Sequence, residues 1–114
     1  MQENPMIRLI SVDLDGTLLN PKGKVTIGNL EAIRAAQQAG VVFSVATGRF
    51  YENACIGIKD MGLDCPVIST NGGKIAASPF GQVIASHKMA PWLTHLILSF
   101  FPKHQTPDPL STAH

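Results

Sequence analysis

The chain has 114 residues, 45% of them hydrophobic and 15% charged, enough for one domain with its own core and too few for two of ordinary size. Nine Lys and Arg against eight Asp and Glu leave a formal charge of +1, so no long-range field gathers nucleic acid or an anionic membrane. Whole-chain disorder and binding modules that rely on charge are excluded.

In chain order, Met1 to Pro5 is polar and lacks the basic start and apolar stretch of a secretion signal, which implies a cytoplasmic location. Ile7 to Val12 is an apolar, β-branched run that ends in Asp13-Leu14-Asp15-Gly16-Thr17, the pattern of a buried strand followed by a functional loop. Asn20 to Lys24 is a turn cluster. After it, Thr26 caps a helix with Ile27, Leu30, Ile33 and Ala36 at helical spacing, and Gly40 stops that helix. Val41 to Ala46 reads as a second interior strand, closed by Thr47-Gly48-Arg49. A helix over Tyr51 to about Met61 then leads to a short strand at Pro66 to Thr70, ending in Asn71-Gly72-Gly73.

Strand, helix, strand, helix, strand is the rhythm of an α/β fold with a parallel sheet and helices on both faces. Past Gly73 it changes. Lys74 to Ala77 and Gln82 to Ser86 read as a hairpin, and Pro91 starts a helix with the stripe Trp92, Leu93, Leu96, Ile97, Phe100. That stripe reads as a core-packing face. At about ten residues it is well short of the ~20 a bilayer span requires. The stretch from Pro102 is rich in proline and poor in apolar residues, a tail without packed structure. The expected division is therefore residues 1–73 as a first unit, 74–101 as a hairpin and helix opening a second, and 102–114 as a tail.

Cys55 and Cys65 match no close-spaced zinc pattern and read as buried thiols in a reducing compartment. His87, His95, His104 and His114 show no metal-ligand spacing.

The chemistry gathers where strands end. In an open parallel sheet ligands sit outside the carboxyl ends of the strands, so Asp13, Asp15, Thr47 and Asn71 are brought toward one edge. Two carboxylates two residues apart converge only if the loop turns, and Gly16 supplies the freedom. Such like charges call for a cation, and an all-oxygen site favours Mg²⁺. A carboxylate beside it can attack phosphorus while a second protonates the leaving oxygen. Thr47 and Gly48 precede a helix whose free N–H groups and dipole favour an anion. Arg49 suits either a phosphate or a neighbouring carboxylate. The aspartates are equally compatible with a loop that caps itself.

Asp13-Leu14-Asp15-Gly16-Thr17-Leu18 after a strand resembles the first signature of the haloacid dehalogenase superfamily, and Ala46-Thr47-Gly48-Arg49 resembles the second. With Asn71-Gly72-Gly73 and the following hairpin, the chain is most similar to the Cof-type sugar-phosphatase branch, over roughly Met6 to Phe101. The resemblance implies a Rossmann-like core with an α/β cap and a Mg²⁺-dependent phosphatase acting on a small phosphorylated metabolite such as a sugar phosphate. By it, Asp13 would be nucleophile and Mg²⁺ ligand, and Asp15 general acid/base, lending the metal its backbone carbonyl. The amides of Leu14 and Gly16, with Thr47 and Gly48, would hold the phosphoryl group. Arg49 and Asn71 would be substrate contacts.

Two parts of the family pattern are missing: a lysine after the cap, and a later Gly-Asp motif that completes the metal shell. Lys74, Lys88, Lys103 and Asp108 do not stand in those contexts. The chain therefore reads as a fragment, a truncated product or a short protein that completes its site with another chain. An inactive interaction module is the alternative function. A receiver-type phospho-acceptor fits the residues after Asp15 poorly. The half-sheet carries an exposed edge capable of self-association.

Overall fold

The structure, a computed structural model, describes residues 7–101; the expected Pro-rich tail lies outside them. Along the described chain run β1 (Leu9–Asp13), α1 (Ile27–Gln38), β2 (Val42–Ala46), α2 (Tyr51–Asp60), β3 (Val67–Ser69), β4 (Lys74–Ala76), β5 (Val83–Ser86) and α3 (Pro91–Ser99). The strands form one mixed sheet in the order β1-β2-β3-β4-β5. The first three are parallel and the last two antiparallel.

Local chemistry sets the boundaries. Thr26 Oγ1 accepts the Asn29 N–H at 3.2 Å and starts α1, and Gly40, at φ +93°, lets the chain leave that helix for β2. Pro91 sits in the first turn of α3, where its missing N–H costs nothing.

The register puts Ile10 beside Phe43 and Val12 beside Val45, with Val45 next to Val67. These side chains share one face because side chains alternate along a strand. On that face they join Ile33 of α1 and Ala54 and Ile58 of α2 in a single apolar cluster. Helix α1 is also tied to the segment that follows α2: Arg34 Nη2 donates to the Gly62 carbonyl at 3.0 Å and Gln37 Nε2 to that of Asp64 at 3.1 Å.

Both helices thus lie on the same face, which corrects the expectation of helices on both faces while leaving the α/β class standing. The reason is topological. Strands added one after another in the same direction, by crossovers of the same hand, return each helix to the same side.

The opposite face is open, with Leu9 and Val42 side by side and exposed. The β4–β5 hairpin is hydrogen-bonded into the same sheet through β3. Its turn docks on α2, where the Phe80 N–H donates to Cys55 Sγ at 3.4 Å and the Tyr51 and Phe80 rings meet edge to face at 5.9 Å. Lys74 Nζ stands 4.1 Å over the Tyr51 ring.

Helix α3 forms where expected, but none of its residues is buried. Its apolar stripe is not part of the core. Both cysteines are buried and free; burial, with nearby Asp64 adding to it, pushes the Cys65 thiol up to about 11. Among the described residues no helix is long and apolar enough to cross a membrane.

Candidate active site

Asp13 is the last residue of β1 and the cap of the turn that follows, its Oδ1 accepting the Leu14 N–H at 2.8 Å. That turn, Leu14–Leu18, closes with a hydrogen bond from the Leu19 N–H to the Leu14 carbonyl at 3.0 Å. Leu14 and Leu18 point into the core and hold the turn down. Asp15 between them is extended, and Gly16, at φ +77°, reverses the chain in a conformation that costs other residues energy.

The loops after β2 and β3 are tied together by their backbones. The Thr47 N–H donates to the Ile68 carbonyl at 2.8 Å, the Thr70 N–H to that of Arg49 at 2.8 Å, and the Asn71 N–H to that of Thr47 at 3.1 Å. Thr47 is buried, and its Oγ1 accepts the Arg49 N–H at 3.1 Å. A Cβ at Gly48 would stand 3.1 Å from Asn71 Oδ1, so only glycine lets the two loops close up without displacement.

Thr70 and Asn71 are both left-handed at φ +53°, with Gly72 at +97°. For β-branched Thr70 this is a strained conformation of the kind that collects at functional sites. Asn71 accepts it more readily.

Asp13, Ala46, Thr47, Gly48, Ile68, Asn71 and Gly72 line one pocket of about 420 Å³ at the carboxyl ends of the three parallel strands. It therefore brings together Asp13, Thr47, Gly48 and Asn71 from three separate loops. Asp15 and Gly16 line a second cleft of about 380 Å³ with Leu19 to Pro21 and Gly23. A further cleft of about 550 Å³ lies between the Leu19 to Val25 loop and α2; it includes Arg49 but neither aspartate.

The pairing of Asp15 with Arg49 could not be read from the sequence. Arg49 Nε donates to Asp15 Oδ2 at 2.8 Å and Nη2 to Oδ1 at 2.6 Å, a two-pronged ion pair with side chains 33% and 58% exposed. Of the two roles open to Arg49, the structure realises the carboxylate contact. No sequence signal links positions 34 apart. The hydrogen bonds from Arg49 hold the Asp15 carboxyl below the usual carboxylate range, against a smaller opposing effect of desolvation, and raise Arg49 in turn. Asp15 is therefore ionised at neutral pH, and protonating a leaving group from it requires this pair to open.

Arg49→Met is expected to return the Asp15 titration toward the ordinary carboxylate range. A ¹³C-detected carboxyl titration measures it. Because the folded value is depressed, the pair stabilises the fold above the unfolded Asp value and that contribution fades as pH falls through the folded value. At this exposure solvent screens the pair, and its effect on stability is small.

Asp13 and Asp15 are the acids of the site, and among the described residues no group of three or more His, Cys, Asp or Glu is placed to hold a metal ion. The donors this loop can offer are all oxygens, the Asp13 and Asp15 carboxylates among them. Such a sparse all-oxygen set suits Mg²⁺, which keeps several waters and usually takes one or two protein carboxylates.

A model of the haloacid dehalogenase-like hydrolase family matches residues 10–112. The chain is 42% identical over 69 residues to a Bacillus subtilis protein named Phosphatase YwpJ, covering 60% of this chain and 24% of that protein. It is 38% identical over 65 residues to the pyridoxal phosphate phosphatase YbhA of Escherichia coli, covering 57% and 24%. Among solved structures, a haloacid dehalogenase-like hydrolase from B. subtilis superimposes with a TM-score of 0.73 at 37% identity, over 82% of this chain and 33% of the other. The chain spans about a quarter to a third of the length of these relatives.

Proposed function

Because the chain belongs to the haloacid dehalogenase-like hydrolases, we propose that it carries the nucleophile-bearing part of a Mg²⁺-dependent phosphatase for a small phosphorylated metabolite. The observation that supports this most directly is the convergence of Asp13, Thr47, Gly48 and Asn71 on one pocket. In this reading residues 1–73 are the first part of the catalytic core, residues 74–101 open the cap, and the protein works in the cytoplasm.

The phosphoryl group sits over the Leu14 and Gly16 amides, with the Thr47 hydroxyl and the Gly48 N–H on its other side. Asp13 attacks phosphorus, forming an aspartyl-phosphate as the ester oxygen leaves. Asp15, released from Arg49 and having taken up a proton from solvent, delivers it to that oxygen and then takes one from the water that hydrolyses the intermediate. Mg²⁺, held by Asp13 and the Asp15 carbonyl, would neutralise charge on the transferring group. Arg49, once released from Asp15, is free to meet the substrate, and Asn71 borders the pocket. The relatives' names, a pyridoxal phosphate phosphatase among them, support a compact phosphomonoester as substrate.

The second reading, an inactive module, is favoured by the Arg49 clamp on Asp15 and the short donor set. A phosphate-release assay on a panel of phosphomonoesters, with Mg²⁺ and then with chelator, separates the two. Release that chelator abolishes supports the phosphatase. No release from any ester, with the fold intact by circular dichroism, supports the module.

A further inference from the structure

Helix α2 carries a glycine that its own backbone does not require. Gly57 lies inside the run Tyr51–Asp60 and is not among the glycines with positive φ. A glycine in a helix interior weakens the helix relative to alanine, because it has more backbone freedom to lose and adds no contact. Packing of α2 against the sheet does not explain it either. A Cβ at Gly57 would meet two atoms within 4 Å: Leu14 Cδ2 at 3.9 Å, an ordinary contact, and Arg49 Nη1 at 3.2 Å, which is too close without displacement. The guanidinium is what excludes a side chain from this position.

Arg49 has little room to give way. Its N–H donates to Thr47 Oγ1 at 3.1 Å and its carbonyl accepts the Thr70 N–H at 2.8 Å, so its backbone is held on both sides. At the far end, Nε and Nη2 engage the two Asp15 oxygens at 2.8 and 2.6 Å. A planar fork bound through two nitrogens fixes the direction of the third, and Nη1 falls over Gly57. The side chain thus runs from the loop after β2 to the loop after β1 by passing over the one position of α2 that offers no Cβ there.

We propose that Gly57 is a positioning residue: by carrying no side chain it seats the Arg49 guanidinium on α2, where that guanidinium holds Asp15 in the cleft beside the Asp13 pocket. What the seat does for turnover rests on the phosphatase reading, in which Asp15 leaves Arg49 to reach the ester oxygen. The seat itself is a contact among described residues and is read without turnover.

Arg8, Arg34 and Arg49 are the arginines of the chain, and Arg49→Met identifies the Arg49 Nε–H signal in ¹⁵N spectra recorded cold. In the parent chain that signal is expected to lie downfield and exchange slowly, as for an Nε–H donating to a carboxylate. In Gly57→Leu it is expected to become the fast-exchanging signal that Asp15→Ala gives. Arg34, which donates to the Gly62 carbonyl, serves as the reference and is expected to keep its signal throughout.

Gly57→Ala is expected to weaken the pair to a smaller degree while the thermal midpoint holds or rises, because alanine favours the helix. In an Arg49→Met background, with the obstructing nitrogen gone, the same substitution is expected to raise the midpoint. An Arg49 signal in Gly57→Leu that matches the parent's overturns the proposal. So does a midpoint lowered by Gly57→Ala in the Arg49→Met background, the result expected of a glycine needed for packing; that measurement decides should Gly57→Leu fail to fold. Phosphate release from the same samples keeps the two readings apart. A parent that releases none counts against the phosphatase, while the spectra still decide the seat.

Discussion

Asp13→Asn is expected to lower phosphate release by about three orders of magnitude or more, the scale on which loss of a covalent nucleophile acts. The substitution is close to isosteric. The Asn Oδ1 can still accept the Leu14 N–H that Asp13 accepts now at 2.8 Å, so the turn keeps its cap and the thermal midpoint should hardly move. What is lost is the negative charge that, in the proposed mechanism, attacks phosphorus and binds the cation. Mass spectrometry of acid-quenched enzyme should show a phosphoryl adduct on the parent chain and none on the variant. Turnover by Asp13→Asn at the parental rate would remove Asp13 from the nucleophile role.

Leu14→Ala carries the largest expected effect on stability. Leu14 is fully buried, sits between the two aspartates and packs near Gly57 of α2, where an added Cβ would come within 3.9 Å of Leu14 Cδ2. Truncating a buried leucine to alanine costs about 2–5 kcal/mol, through lost transfer energy and the cavity left behind. That is a large part of the ~5–15 kcal/mol that holds an ordinary domain together. Urea unfolding is expected to show a lower midpoint with an unchanged slope. Because Leu14 pins the turn that presents both carboxylates, the same variant should release phosphate more slowly at temperatures where it remains folded. A stability within about 0.5 kcal/mol of the parent's would mean that the turn is held by its backbone alone.

Much of this was legible in the sequence, and the reason is locality. Thr26 as a cap, Gly40 as a stop, Pro91 as a helix start and the apolar runs Ile7 to Val12, Val41 to Ala46 and Pro66 to Thr70 are signals carried within a few residues. The rule about strand ends placed Asp13, Asp15, Thr47 and Asn71 at one edge; Asp13, Thr47 and Asn71 line one pocket, while Asp15 lines the neighbouring cleft.

What escaped depends on distant partners. The stripe on α3 has the spacing of a buried face, and spacing says nothing of whether a surface is there to meet it. That both helices share one face depends on strand order, which the run of elements leaves open. The Asp15–Arg49 pair joins two loops 34 residues apart, and the left-handed Thr70 is held by the Arg49 carbonyl against the preference of its own side chain.

The strand order β1-β2-β3-β4-β5 repeats the order of synthesis. Each strand meets a neighbour already made, and none is inserted between two earlier ones. Loop closure is then spread over several short steps, the circumstance in which a mixed α/β chain folds fast. On the ribosome the sheet can grow strand by strand as the chain emerges, with α1 and α2 settling in turn on the covered face. Among the described residues the same order leaves β1, the strand that ends in Asp13, as the founding edge of the sheet: first to form and flanked on one side only.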